Sequence, residues 1–423
     1  MKERLLQFIW QEKYFQLNNL MLESGEQLII RDPGTWNHDQ GPDFLNARIL
    51  LDGTTWAGNI EIHVKSSQWY QHRHQTDPAY NNVILHVVWE DDTPRLSASL
   101  PTLVLQDRVS AILLDRYEQL MQAGGQLVCQ EWLPEITAAY WAGWKQQLAL
   151  ERIQRKAQEL LKLYKACNRN WNDACWCWMA RYMGSVVNGD FFEQVAKSLP
   201  SRIMARHKDQ VIHLEALLLG QANLLKEANS DPYVQLLQRE YLFLQNKYQL
   251  PELHGRMQKL RMRPSAFPEV RLAQLAMLWH QQGMFSRNWL EAETLADITR
   301  TLDITANDFW HYHYTLVEAS PYQPKHTGDE LIQQLLINVI IPFLYAAGQH
   351  QQQPALQQKA INWLSSLPAE RNALIKQWQR SGVTAETSLE SQALIELKKY
   401  YCEARRCLDC SIGRYLLKEP HHS

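Results

Sequence analysis

Between residues 3 and 22 the apolar positions Leu5, Phe8, Ile9, Phe15 and Leu20 recur at the spacing of one helical face, which predicts a helix there. Short segments of alternating character follow: Gln27–Arg31, Phe44–Leu51, Thr54–Lys65, Asn82–Trp89 and Thr102–Gln106. Turn residues separate them, as at Asp32-Pro33-Gly34 and at Asp52-Gly53, a pair that suits a β-hairpin. These segments are the predicted strands of one small sheet. From residue 111 onward the period becomes helical, over Thr137–Ala166, Trp171–Met183, Val211–Ala228, Val234–Asn246, Val270–His280, Trp289–Thr301, Glu330–Ala347 and Ser388–Cys402. The pattern therefore predicts an α+β chain. A small mixed-sheet domain occupies residues 1–110 and a large all-α region occupies 111–423, with the boundary near 107–115. There is no fixed-period repeat, and the Gln-rich tract at 349–358 reads as an exposed loop between helices.

Composition refines this picture only in part. The 423 residues suffice for two or three domains, and 45% hydrophobic with 21% charged residues describes an ordered, packed chain. The net charge of −2 excludes a globally basic surface, so any hold on nucleic acid must come from local patches. In the N-terminal MKERLLQFIWQEKYF, charges interrupt the apolar residues, unlike the core of a secretory signal. The most apolar stretch, Leu331–Ala347, contains Gln333, Gln334, Asn338 and Pro342 and reads as a buried helix rather than a spanning one. No membrane association is expected, and the cytoplasm is the expected compartment. Seven cysteines without a secretory signal are expected to be reduced thiols or metal ligands.

The densest polar constellation runs from Asp39 to His86. On an extended segment, Ile60, Ile62 and Val64 point to one face. Asn59, Glu61, His63 and Lys65 point to the other, about 7 Å between successive members. An acid, an imidazole and an amine in one row suit cation binding and water activation. Asp43 and Glu61 would offer carboxylate oxygens to Mg²⁺ or Mn²⁺. The bland reading is a solvated sheet face with Glu61 and Lys65 paired, but it must also absorb Asp43, His72, His74, Asp77 and His86 nearby. His72-Arg73-His74 with Asp77 or His86 would alternatively supply the imidazole and carboxylate ligands of a transition metal. His86, flanked by Ile84 and Val88, reads as a hydrogen-bonded core histidine.

This arrangement resembles the PD-(D/E)XK nuclease superfamily, in which an Asp opens one strand and an acid and a Lys, two residues apart, occupy the next. Pro42-Asp43 matches the first element and Glu61 with Lys65 the second. The resemblance implies that Asp43 and Glu61 hold the metal while Lys65 orients water or stabilises phosphate charge. Glu61 and Lys65 are four residues apart, however, with His63 between them, so His63 stands in for either an acid or the Lys. Longer blocks carry a second resemblance: Gly41-Pro42-Asp43-Phe44, Gly58–Lys65, the run from Asp77 to Val88, His207-Lys208-Asp209 with the run from Glu215 to Ala222, and the run from Arg261 to Ala276. Together these are similar to an uncharacterised bacterial family, domain of unknown function 2851, over nearly the whole chain. That resemblance implies a shared architecture and brings no activity with it.

In the helical part, basic residues concentrate at 145–169, at 256–271 and at 398–418. With interleaved aromatics they could follow a phosphate backbone, or they could be the solvated outer faces of long helices. Arg261 and Arg263, ahead of Pro264, and Arg271 just beyond are the candidate phosphate contacts, with Asn59, His72 and His74 beside the catalytic row. Cys402-x4-Cys407-x2-Cys410, within a C-terminal knot at 398–418, has metal-like spacing for zinc or an iron–sulfur cluster. A fourth ligand would come from Cys129, Cys175, Cys177 or a histidine; buried thiols that merely pack are the plain alternative. Three readings follow. The first is a phosphodiester hydrolase acting on DNA or RNA with Asp43, Glu61, His63 and Lys65 as its catalytic row. The second is a non-catalytic nucleic-acid or protein-binding module, and the third a hydrolase with a His-rich transition-metal site.

Overall fold

The computed structural model describes residues 1–93, 100–122, 127, 129–227 and 230–418. The chain is α+β, with an N-terminal mixed sheet ahead of a large helical region. It divides into two compact units, Met1–Ile136 with Lys398–Ser423, and Thr137–Leu397. The division thus lies beyond residue 110, and the C-terminal segment joins the sheet-containing unit. Periodicity reports what kind of element a segment forms but not which core its apolar face joins.

In the first unit, helix α1 (Glu3–Glu12) is shorter than its apolar pattern suggests. Lys13 adopts a left-handed conformation (φ 56°), and its N–H bonds the carbonyls of Ile9 and Trp10, which ends the helix. Leu20 belongs instead to a short strand, β1 (Leu20–Met21). The sheet continues with β2 (Gln27–Asp32), β3 (Thr35–Trp36), β4 (Phe44–Leu51), β5 (Thr54–Lys65), β6 (Val83–Glu90) and β7 (Thr102–Val104). Its order is β1-β2-β4-β5-β6-β7, with β3 pairing β4 at the side. Pairs from β1 to β5 are antiparallel, whereas β5–β6 and β6–β7 are parallel.

The predicted hairpin at Asp52-Gly53 joins β4 to β5 with Leu51 opposite Thr54. Both turn residues have positive φ, 43° and 84°, as a tight two-residue hairpin requires. A parallel return needs a crossover, and residues 66–82 supply it through α2 (Gln68–Gln71) and two 3-10 turns, His74–Thr76 and Pro78–Tyr80. Leu5, Leu6, Phe8, Ile9 and Trp10 of α1 are buried, as are Phe44, Ile49, Ile60, Ile62, Leu85 and Val87 of the sheet. Gly58 lets β5 meet the start of β6 closely. A Cβ there would lie 2.5 Å from Ile84 Cγ2 and 2.6 Å from the Asn82 carbonyl oxygen.

Within the second unit most predicted helices are present with shifted ends, but the one expected over Trp289–Thr301 is broken at 292–294 into Phe285–Glu291 and Leu295–Leu302. Helix Ala138–Ala166 is the longest, and Val211–Gln221 is shorter than its pattern, whose last residue, Ala228, lies outside the described residues. The segment Asp329–His350 is long and apolar enough to cross a membrane, yet most of it is buried inside this unit. Basic residues in the first half of 145–169 are paired or buried, whereas Lys162, Lys165 and Arg169 are exposed. Lys145 pairs with Glu390, Arg152 and Arg155 both pair with Glu396, and Lys156 is buried against Asn338 and Gln392. Glu215 is fully buried and accepts hydrogen bonds from the Tyr233 hydroxyl (2.6 Å), the Asn307 amide (2.6 Å) and the Trp310 indole (3.1 Å). Burial still outweighs those donors and raises its carboxyl to about 7.

Candidate functional site

Four segments of the first unit bring polar side chains together: α1, the turn before β4, the end of β5, and the crossover. The turn is built by Gly41, at φ 108°, and by Asn37, whose amide donates to the Pro42 carbonyl (3.0 Å). It presents Asp43 immediately ahead of β4. Asp43 Oδ1 accepts from Gln7 Nε2 of α1 (2.9 Å), and Oδ2 accepts from the Ile62 N–H of β5 (3.0 Å). In return the Asp43 N–H donates to Glu61 Oε2 (3.1 Å). The Glu61 carboxylate is thus held by the Asp43 backbone, and the Asp43 carboxylate by the backbone of Ile62, the next residue after Glu61.

The other oxygen of Glu61 faces imidazoles. Oε1 lies 3.5 Å from His63 Nε2 and 3.3 Å from His74 Nε2. His63 Nε2 is also 3.1 Å from His72 Nδ1, and the ligand atoms of His63, His72 and His74 all fall within 4.8 Å of one another. His63 Nδ1 is tied to His86 Nε2 at 2.8 Å, behind the cluster. Such a bond fixes the ring, and with the proton on Nδ1 it leaves Nε2 as a lone pair facing Glu61. Trp69 and Tyr80 wall the group, Tyr80 stacking on His74 with ring centroids 3.8 Å apart. Glu61, His63 and His74 are 5%, 1% and 8% exposed, whereas His72 is exposed and opens the cluster to solvent on its side.

The electrostatics are those of a site lacking positive charge. Burial pushes the Glu61 carboxyl up well above neutrality, and the neighbouring Asp43 adds to this; burial likewise raises Asp43. Burial depresses His63 to about 2 and His86 to about 3, each helped by neighbouring imidazoles, and His74 moves down for the same reasons. Neutral imidazoles are the protonation state in which histidine binds a divalent cation, and a bound cation would displace the proton that burial keeps on Glu61. His74 Nε2 is buried and, despite its 3.3 Å approach to Glu61, makes no hydrogen bond. An orphaned lone pair among three others fits a metal ligand set. Three imidazoles and one carboxylate suit Mn²⁺ or Zn²⁺ better than Mg²⁺, which prefers oxygen.

The structure thus unites Asp43, Glu61, His63, His72 and His74, and it does not bring in Lys65. That side chain is half-exposed, 3.6 Å from Glu90 and 4.0 Å from Asp92, at the rim where β5 ends. Asn59 is occupied structurally, its Oδ1 accepting from the Asn46 N–H (3.2 Å) at a bulge in β4 where Asn46 has φ 60°. Asp77 accepts from the Ala79 N–H and caps a 3-10 turn. Arg261 and Arg263 are exposed in the second unit, and Arg271 there donates to Gln274 (3.0 Å). Sequence reasoning missed Glu3 and Gln7. Both stand on α1, with Gln7 bonded to Asp43 and Glu3 near enough to raise the Asp43 and Glu61 carboxyls. Glu3 carries no local signal, because an acid in a first helical turn reads as a partner of the helix dipole.

No curated protein and no solved structure matches the chain. A family model described as "Protein of unknown function (DUF2851)" matches residues 3–373. That span covers most of the 423 residues and includes every residue of the cluster, and the chain belongs to this family.

Proposed function

We propose that the protein is a metal-dependent hydrolase of phosphodiester bonds in DNA or RNA, with a divalent transition metal held by Glu61, His63, His72 and His74. The observation that carries this reading is the convergence of one carboxylate oxygen and three imidazole nitrogens around Glu61 Oε1 and His63 Nε2. Phosphodiester chemistry is favoured by the neighbouring strand order. Asp43 heads β4 and Glu61-Ile62-His63 sits on β5, so His63 takes the position, two residues past the acid, that the nuclease pattern gives to Lys. A bound cation would supply an activated water and neutralise charge on the phosphate. The chain's own groups then have distinct tasks. Asp43 holds the backbone of β5 through Ile62 and, with Glu61, defines the anionic wall of the site. His72 stands at its solvent side, where substrate would enter. His63, held neutral and fixed in orientation by its Nδ1 bond to His86, would offer Nε2 to the cation. The abundance of imidazoles also favours a second reading, a metal-dependent hydrolase of another substrate.

The test is cleavage of labelled single- and double-stranded DNA and RNA by purified protein with Mn²⁺, Zn²⁺ or Mg²⁺. Wild type is expected to cleave with Mn²⁺ or Zn²⁺, and Asp43→Ala, Glu61→Gln and His63→Ala to lose about 100-fold or more. Equal background cleavage by all four proteins rejects the phosphodiesterase reading. Retained metal binding in that case would favour the second.

A further inference from the structure

The cysteines point to a second site, independent of the hydrolase reading. Cys402, Cys407 and Cys410 lie on the C-terminal segment, nearly three hundred residues after Cys129, yet all four belong to the first unit. Several contacts bring the segments together. Arg405 Nη1 donates to the Met121 carbonyl (3.1 Å) at the end of helix α3 (Ala111–Gln122), and helix Ser411–Lys418 packs on α3. Arg4 of α1 pairs with Asp409 (2.7 Å) and Arg414 with Glu12. The turn carrying the thiols is tightly folded. The Cys410 N–H bonds the Arg406 carbonyl (3.1 Å), and Gly413 approaches Cys407 so closely that a Cβ there would sit 2.2 Å from the Cys407 carbonyl oxygen.

Cys407 and Cys410 are buried and Cys129 and Cys402 half-buried, and none of the four is in a disulfide. The Cys402 thiol lies within electrostatic reach of Cys410, Cys129 and Cys407, and Cys129 within reach of Cys410 and Cys407. We infer that Cys129, Cys402, Cys407 and Cys410 form a closed four-thiolate centre for zinc or an iron–sulfur cluster. Local spacing provides three ligands, and the fold provides the fourth from a distant loop, completing the set that closed thiolate sites use. Cys175 and Cys177, the other cysteines considered for that place, belong to the buried core of the second unit.

Metal and sulfide content and visible absorption of the full chain, purified anaerobically, test this. Wild type is expected to hold either about one thiolate-bound zinc ion, beyond any metal at the histidine cluster, or iron with acid-labile sulfide and a brown chromophore. Cys129→Ser and Cys407→Ser should each lose that content, while Cys175→Ser keeps it. To guard against variants that do not fold, native wild type is alkylated before and after chelation. The four thiols should be protected until the metal is removed. Thiolate metal absent from wild type even after anaerobic reconstitution, or unchanged in Cys129→Ser, overturns the inference. Since the readout is metal and thiol chemistry, it stands apart from any result on phosphodiester cleavage.

Discussion

Glu61→Gln should make the metal-free protein more stable while abolishing its response to metal. Without a cation, the Glu61 carboxyl is 5% exposed and faces Asp43, and both effects hold its proton on well above neutrality. In the unfolded chain it ionises at the ordinary value of 4.5. At pH 7 the unfolded state is therefore favoured by up to the 2.5-unit gap, at about 1.4 kcal/mol per unit, or roughly 3 kcal/mol. The sign follows from the raised value. This group's stabilisation is fully present below pH 4.5 and is lost as pH rises toward the folded value. The glutamine has no such term, and its amide oxygen can still accept from the Asp43 N–H. Allowing for imperfect repacking, the gain is about 1–3 kcal/mol at pH 7, and near zero at pH 4.5. For a unit of 136 residues plus a C-terminal 26 this is roughly 3–10 °C in Tm. Saturating metal offsets this, because a ligand at a hundred times its Kd adds about 2.7 kcal/mol to wild type, and at a thousand times, about 4.1 kcal/mol, it reverses the order. The assay is a pair of thermal melts, in chelator and in Mn²⁺ or Zn²⁺, repeated at pH 4.5 and 7. If Glu61→Gln melts lower than wild type in chelator at pH 7, or shifts equally with metal, the reasoning fails.

Further outcomes follow from other parts of the fold. Lys65→Ala should leave metal binding and any cleavage within about twofold of wild type, since among the described residues Lys65 pairs with exposed acids at the rim; titration calorimetry and the cleavage assay check this. Gly58→Ala should lower stability by about 2 kcal/mol or more, because its Cβ would strike backbone at Asn82 as well as Ile84; urea melts measure it. Glu215→Gln should flatten the pH dependence of the second unit's stability. The wild-type carboxyl, raised from 4.5 to about 7, loses up to about 3 kcal/mol as pH climbs through that window, and melts at pH 5 and 8 read the difference.

Much of the architecture was legible in the chain because each element carries its own period. The Asp52-Gly53 turn, the alternating β5 and the helical stretches all speak locally. The Glu61 and His63 pair was legible for the same reason, since alternation places both on one face. Lys65 shares that parity and was misplaced because parity says nothing about where a strand leaves the site. Beyond His63 the strand runs to a rim with acids of its own. His86 reads correctly as a hydrogen-bonded core histidine, although its partner, His63, emerges only from the pairing of β5 with β6. Glu3, the proposed fourth thiol ligand and the unit boundary depend on which distant segments meet, and no local pattern encodes that.

The proposed ligands Glu61, His63, His72 and His74 span fourteen consecutive positions, all on β5 and the connection that leads to β6. A chelate so local closes loops of at most about ten residues and needs no partner from outside β5 and the crossover. The cation could therefore be captured while the chain is still emerging, when only the hairpin and its following turn exist. It would then act as a nucleus that sets the parallel return of β6, and metal supply during synthesis would govern yield as well as turnover.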